Sequence, residues 1–139
     1  MKWFAAIIPT IALGAIVAAT AFAATPRHAT VTIHHETKGC HAWALGTGAF
    51  TAHVNAKLAA GGTITFTDND VMSHQLIKKS GATVTYSGPH TMKHMGATLK
   101  VTFPHAGIYR FTTKAGEDYM TGVKTVGEDN VLRQTVTVS

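Results

Sequence analysis

The sequence predicts an all-β domain, an antiparallel β-sandwich of seven or eight short strands. Three observations lead there. Apolar and polar residues alternate with period two in several short runs, no long run carries helical periodicity, and Gly, Asn, Asp and Pro punctuate the chain between the runs. A length of 139 residues with 45% hydrophobic and 14% charged content suits one globular domain and excludes a disordered chain.

The elements follow in order. Residues 1–23 form a leader: Lys2, an uncharged Ala- and Ile-rich run from Trp3 to Thr25, and the small-x-small triplet Ala21-Phe22-Ala23. It reads as a signal peptide, with an uncleaved membrane anchor as the alternative, and residues 24–139 are then the domain. A first strand is expected from Ala29 to Glu36, with Val31, Ile33 and His35 on one face. Gly39, Gly46 and Gly48 break the chain, and Phe50 to Leu58 makes a weaker second strand. Thr63 to Thr67 alternates with Ile64 and Phe66 inward, and Asp68-Asn69-Asp70 marks a turn.

Two short strands, His74 to Lys78 and Ala82 to Ser87, flank Ser80-Gly81. Leu99, Val101 and Phe103 share a face, and after Pro104 to Gly107 the run Ile108 to Thr113 returns as the second arm of an expected hairpin. Residues 114–129 are polar and Gly-punctuated. Leu132, Gln134, Val136 and Val138 alternate in a closing strand.

Composition excludes several functions. The net charge of +5, which loses one unit if Lys2 is removed with the leader, is spread over isolated basic residues apart from Lys78-Lys79, so nucleic acid is not an expected partner. One Cys permits no intrachain disulfide. Neither a nucleophile elbow nor a paired-carboxylate pattern occurs, and the chain is read as a non-enzyme.

Nine His, five Met and the single Cys are the unusual residues, and most fall between the expected strands: Cys40-His41, Met72, His74, the run His90-Thr91-Met92-Lys93-His94-Met95, and Met120. Thiolate, thioether and imidazole together select copper, whereas Cys and His alone would also suit zinc. The interleaved His/Met run has the composition of a Cu(I)-capturing loop. Each residue also has a plain alternative: a loop His is commonly solvated, and a free Cys is commonly a small buried hydrophobe. Cys40 and His41 would face opposite ways in an extended chain, so both can bind one ion only if the chain turns at Gly39.

Gly62-Thr63-Ile64-Thr65-Phe66-Thr67-Asp68-Asn69-Asp70 followed by His74 resembles the cupredoxin segment in which a strand and a turn precede the first copper-ligating His. Leu99-Lys100-Val101-Thr102-Phe103-Pro104-His105-Ala106-Gly107-Ile108-Tyr109-Arg110-Phe111 resembles the stretch leading into that family's C-terminal ligand loop. The resemblance implies a cupredoxin-like Greek-key sandwich whose loops gather at one pole, bringing together Cys40-His41, Met72 to His74, His90 to Met95 and Glu117-Asp118 to Met120, with His105 at the other pole. The departure is Thr113, which stands where the family carries its copper-binding Cys, and no His follows His105.

A thiolate displaced to Cys40 would restore a soft donor. The expected metal ligands are therefore Cys40, His41, His74, His94 and Met120, holding copper, with zinc as the alternative. The expected function is extracytoplasmic one-electron transfer, periplasmic or secreted, with a redox partner protein or a copper donor or acceptor as partner. Membrane contact is expected only with an uncleaved leader. Copper carriage or sequestration, or a metal-free binding module, are the alternatives.

Overall fold

The computed structural model describes residues 23–36, 40–115 and 132–139, and all of the following concerns these; the leader and the segment carrying Glu117, Asp118 and Met120 lie outside them. The chain forms ten strands: β1 (His28–Glu36), β2 (Cys40–Leu45), β3 (His53–Leu58), β4 (Gly62–Asn69), β5 (His74–Ser80), β6 (Thr85–Ser87), β7 (Thr91–Met92), β8 (Thr98–Phe103), β9 (Gly107–Ala115) and β10 (Arg133–Val138). They make two five-stranded sheets, ordered β2-β1-β4-β8-β6 and β3-β10-β9-β5-β7. The all-β sandwich is as the sequence implies.

Three expectations are corrected. The described residues form ten strands rather than seven or eight, and among their mostly antiparallel pairs β1 runs parallel to β4 and β3 parallel to β10. Cys40-His41 lies on a strand, not in a loop, with Cys40 paired to Glu36 and His41 to His35. The expected hairpin is also absent: β8 pairs with β4 and β6, whereas β9 pairs with β5 and β10, so Pro104 to Ala106 carries the chain from one sheet to the other.

Alternation sets the core. Val54, Ala56 and Leu58 of β3, Ile64 and Phe66 of β4, and Leu99, Val101 and Phe103 of β8 all point inward. Across the gap they meet Tyr109 and Phe111 of β9 and Val136 and Val138 of β10. Aromatic rings tie the sheets together: Phe66 and Phe111 have centroids 6.2 Å apart, and Phe103 meets Tyr109 edge-on at 5.0 Å. The Tyr109 hydroxyl donates to the His105 carbonyl at 2.6 Å, fixing the start of β9.

Gly81, just past β5, is fixed by both conformation and space. Its φ is +107°, and a Cβ there would lie 2.6 Å from Cδ1 of Tyr109 and 2.9 Å from the Ile108 carbonyl oxygen. Gly81→Ala is expected to cost about 2–4 kcal/mol, from backbone strain plus overpacking against Tyr109. Urea denaturation checks this, and a loss below about 0.5 kcal/mol would contradict it.

Candidate metal centre

One buried carboxylate gathers the histidines. Asp70 follows β4 on the connection that crosses from the first sheet to the second, and it is 0% exposed. Its position is set by an acid turn: the Asp70 N–H donates to Asp68 Oδ1 and the Met72 N–H donates to Asp70 Oδ1, each at 3.0 Å. The other oxygen, Oδ2, accepts from two imidazoles, His41 Nδ1 at 2.8 Å and His74 Nε2 at 3.0 Å. His41 comes from β2 in the first sheet and His74 opens β5 in the second, so Asp70 joins the two layers.

The rings crowd around this point. His41 and His74 stand edge to face with centroids 4.7 Å apart, and both side chains are buried. His35, the cross-strand partner of His41 in β1, brings Nδ1 to 3.6 Å from Asp70 Oδ1 while leaving 45% of its side chain exposed. Candidate ligand atoms of His35, His41 and Asp70 all lie within 4.8 Å of one another. Imidazole nitrogens and a carboxylate oxygen converging from three segments are a donor set that accepts Cu(II) or Zn(II), so the residues present fit a metal of this class.

The two acids have opposite electrostatics. Burial pushes Asp70 up, but the Met72 amide and the two imidazoles outweigh it and hold the carboxyl below its usual range. Burial pushes Asp68 up to about 6, against the pull of the Asp70 amide and with help from the Asp70 charge. Asp68 Oδ2 is buried without a hydrogen-bond partner, which agrees with a carboxyl reluctant to ionise.

The expected ligands divide. His41 and His74 are brought together. His94 is exposed between β7 and β8, and its Nδ1–H donates to the Met95 carbonyl at 3.1 Å; it faces Asp68 closely enough to act on its charge. Cys40 is placed by its backbone alone, at the start of β2, and its side chain, like Met120, lies outside the described residues. Asp70 and His35 were not among the expected ligands. The sequence marks Asp70 only as part of a turn, although an Asp four residues before a candidate ligand His is a usable signal. Met92, expected in a copper-capturing loop, is instead 0% exposed within the core. Thr113 is half-buried on β9 opposite Leu76.

No family model matches the chain, and no curated relative matches it in sequence. Solved structures do. The chain is similar to a purple cupredoxin from Nitrosopumilus maritimus, with 18% identity and a TM-score of 0.44 over 80% of this chain and 99% of that one. It is similar to amicyanin from Paracoccus versutus, with 18% identity and a TM-score of 0.39 over 79% and 81%. It is also similar to a cysteine protease inhibitor from Entamoeba histolytica, with 8% identity and a TM-score of 0.46 over 82% and 99%. Cupredoxins are thus among the sandwiches this chain resembles, and the functional reading rests on the site itself.

The raised Asp68 has a measurable consequence in the metal-free protein. Its folded pKa lies above its usual value of 3.8, so the folded state holds a proton that the unfolded chain releases, and stability falls as pH rises from about 4 to about 6. Asp68→Asn removes that dependence. Relative to this variant, the wild type is expected to lose about 1–3 kcal/mol between pH 4 and pH 7. Parallel urea-derived stability curves for the two proteins would contradict the assignment.

Proposed function

We propose that the protein binds one copper ion at the pole where β1, β2 and the β4–β5 connection meet, held by His41, His74 and Asp70 with His35 at the rim, and that it serves extracytoplasmic one-electron transfer. The observation behind this reading is a fully buried carboxylate oxygen flanked at 2.8 and 3.0 Å by ring nitrogens from two different sheets. Copper, when bound, supplies a one-electron couple. The chain supplies the frame: His41 is fixed by strand pairing with β1, His74 by pairing with β7 and β9, and Asp70 by its turn. Such fixed donors limit rearrangement between the two oxidation states.

Nitrogen and oxygen donors alone favour Cu(II). Cys40, which opens β2, is proposed as the thiolate that would balance the site toward Cu(I) on the condition that the chain turns at Gly39, with Met120 as a weak further donor. His94 is proposed only as a peripheral donor, since it is not gathered with the other rings. The leader supports an extracytoplasmic location, and a redox protein or a copper donor or acceptor is the proposed partner.

Copper titration of the full chain, followed by optical and electron paramagnetic resonance spectra, tests the site. Stoichiometric binding is expected, weakened at least about 100-fold by His41→Ala or His74→Ala and unchanged by His105→Ala at the opposite pole. An intense sulfur-to-copper band lost in Cys40→Ser supports the redox reading. Tight binding without that band moves the function to carriage or sequestration, tighter zinc binding displaces copper, and no binding leaves the Asp70 cluster as a structural seam in a metal-free module.

A further inference from the structure

Charge is divided unequally between the two sheets. The five strands of the second sheet contain six Lys or Arg residues and no Asp or Glu. The first sheet has Lys100 as its one Lys or Arg, and it contains Glu36 and Asp68. Asp68 and Asp70 are buried at the pole, so neither neutralises the second sheet's outer face.

On that face the positive charges frame a groove of about 540 Å³, lined among others by Arg110, Arg133, Lys79, His53, Thr112 and Thr135. Strand register places the two arginines diagonally: Arg133 lies opposite Thr112 and Arg110 opposite Thr135 on the neighbouring strand. Diagonal neighbours of this kind stand about 7–8 Å apart. Both arginines are exposed, and neither guanidinium takes part in an ion pair with a described residue. Two like charges at this spacing, with no acid paired to them among the described residues, repel one another. An anionic partner removes that penalty.

We propose that the groove on the outer face of β3, β10, β9 and β5 docks an acidic segment of a partner protein, its carboxylates paired to Arg110 and Arg133. Guanidinium forks match carboxylates in bidentate pairs, and the Thr112 and Thr135 hydroxyls flank them as further hydrogen-bond groups. A protein segment fits better than a lipid surface for two reasons. The site is recessed, and Ile108 is the one large exposed hydrophobic residue this face offers among the described residues, too little to insert into a bilayer. The face also adjoins the metal pole, because Gln75 pairs with Lys114 one position from the pairing of His74 with Ala115. The proposal does not require that the pole hold copper.

The test titrates the full metal-free chain with a peptide of ten glutamates while amide chemical shifts are recorded. Shifts are expected to concentrate on residues 53–55, 110–112 and 133–135, and the affinity to fall with added salt. The double variant Arg110→Glu/Arg133→Glu is expected to weaken binding at least about tenfold. Lys93→Glu/Lys100→Glu, with the same change in net charge placed elsewhere, is expected to leave most of the affinity. Equal weakening by both pairs, shifts spread over all cationic residues, or no binding would overturn the proposal. So would capture by phosphatidylserine vesicles without peptide binding, which would assign the face to a membrane. Repeating the titration with copper added separates this proposal from the metal reading, since its failure leaves copper binding untouched and the converse also holds.

Discussion

The arrangement at the pole depends on one carboxylate. Asp70 accepts a backbone N–H on one oxygen and two imidazole N–H groups on the other, and the two rings come from opposite sheets. A buried carboxylate costs several kcal/mol unless its lone pairs are satisfied, so these contacts hold the site together as well as each other. The acid turn from Asp68 to Met72 therefore does two things: it reverses the chain between sheets, and it points Asp70 at the place where β1, β2 and β5 converge. Aromatic packing between the sheets gives the cluster a fixed separation to bridge.

Much of the fold was legible because alternation directly reports which face is buried. β3, β4, β8 and β10 were all marked by it. β2 was not, and the reason is physical: His41, Ala42, Trp43 and Ala44 are consecutive and all buried, so no period of two survives. Strand pairing was less legible than strand existence. Short loops suggest hairpins, but the Pro104 to Ala106 connection changes sheets, and the two parallel pairs join segments far apart in sequence. Nothing local in the sequence encodes such long-range register.

The site shows the same division. His41 and His74 were legible as unusual residue types near strand ends, and the resemblance around Gly62 to His74 singled out the second. Asp70 was hidden because Asp-Asn-Asp is turn chemistry, and acids in turns are normally solvated. What distinguishes it is burial, which depends on the crossing between sheets and cannot be read from three residues. Met92 failed in the opposite direction: between polar neighbours it looks like a loop donor, yet its short strand pairs with His74 and Gln75 and turns its side chain into the core.

Burial of the acids also shapes the outside of the molecule. Asp68 and Asp70 accept internal hydrogen bonds at the pole, and neither pairs with Arg110 or Arg133 of the second sheet. Had these acids been exposed, the surface would carry two more negative charges at the pole, with the net charge of +5 unchanged. Instead the field is directed: positive along β9 and β10, with a compact polar cluster where β5 begins. A directed field orients an approaching anionic surface before contact, and it does so over about one Debye length. The positive face is thus set by the cations of its own strands, and the acids buried at the pole add no counter-charge to it.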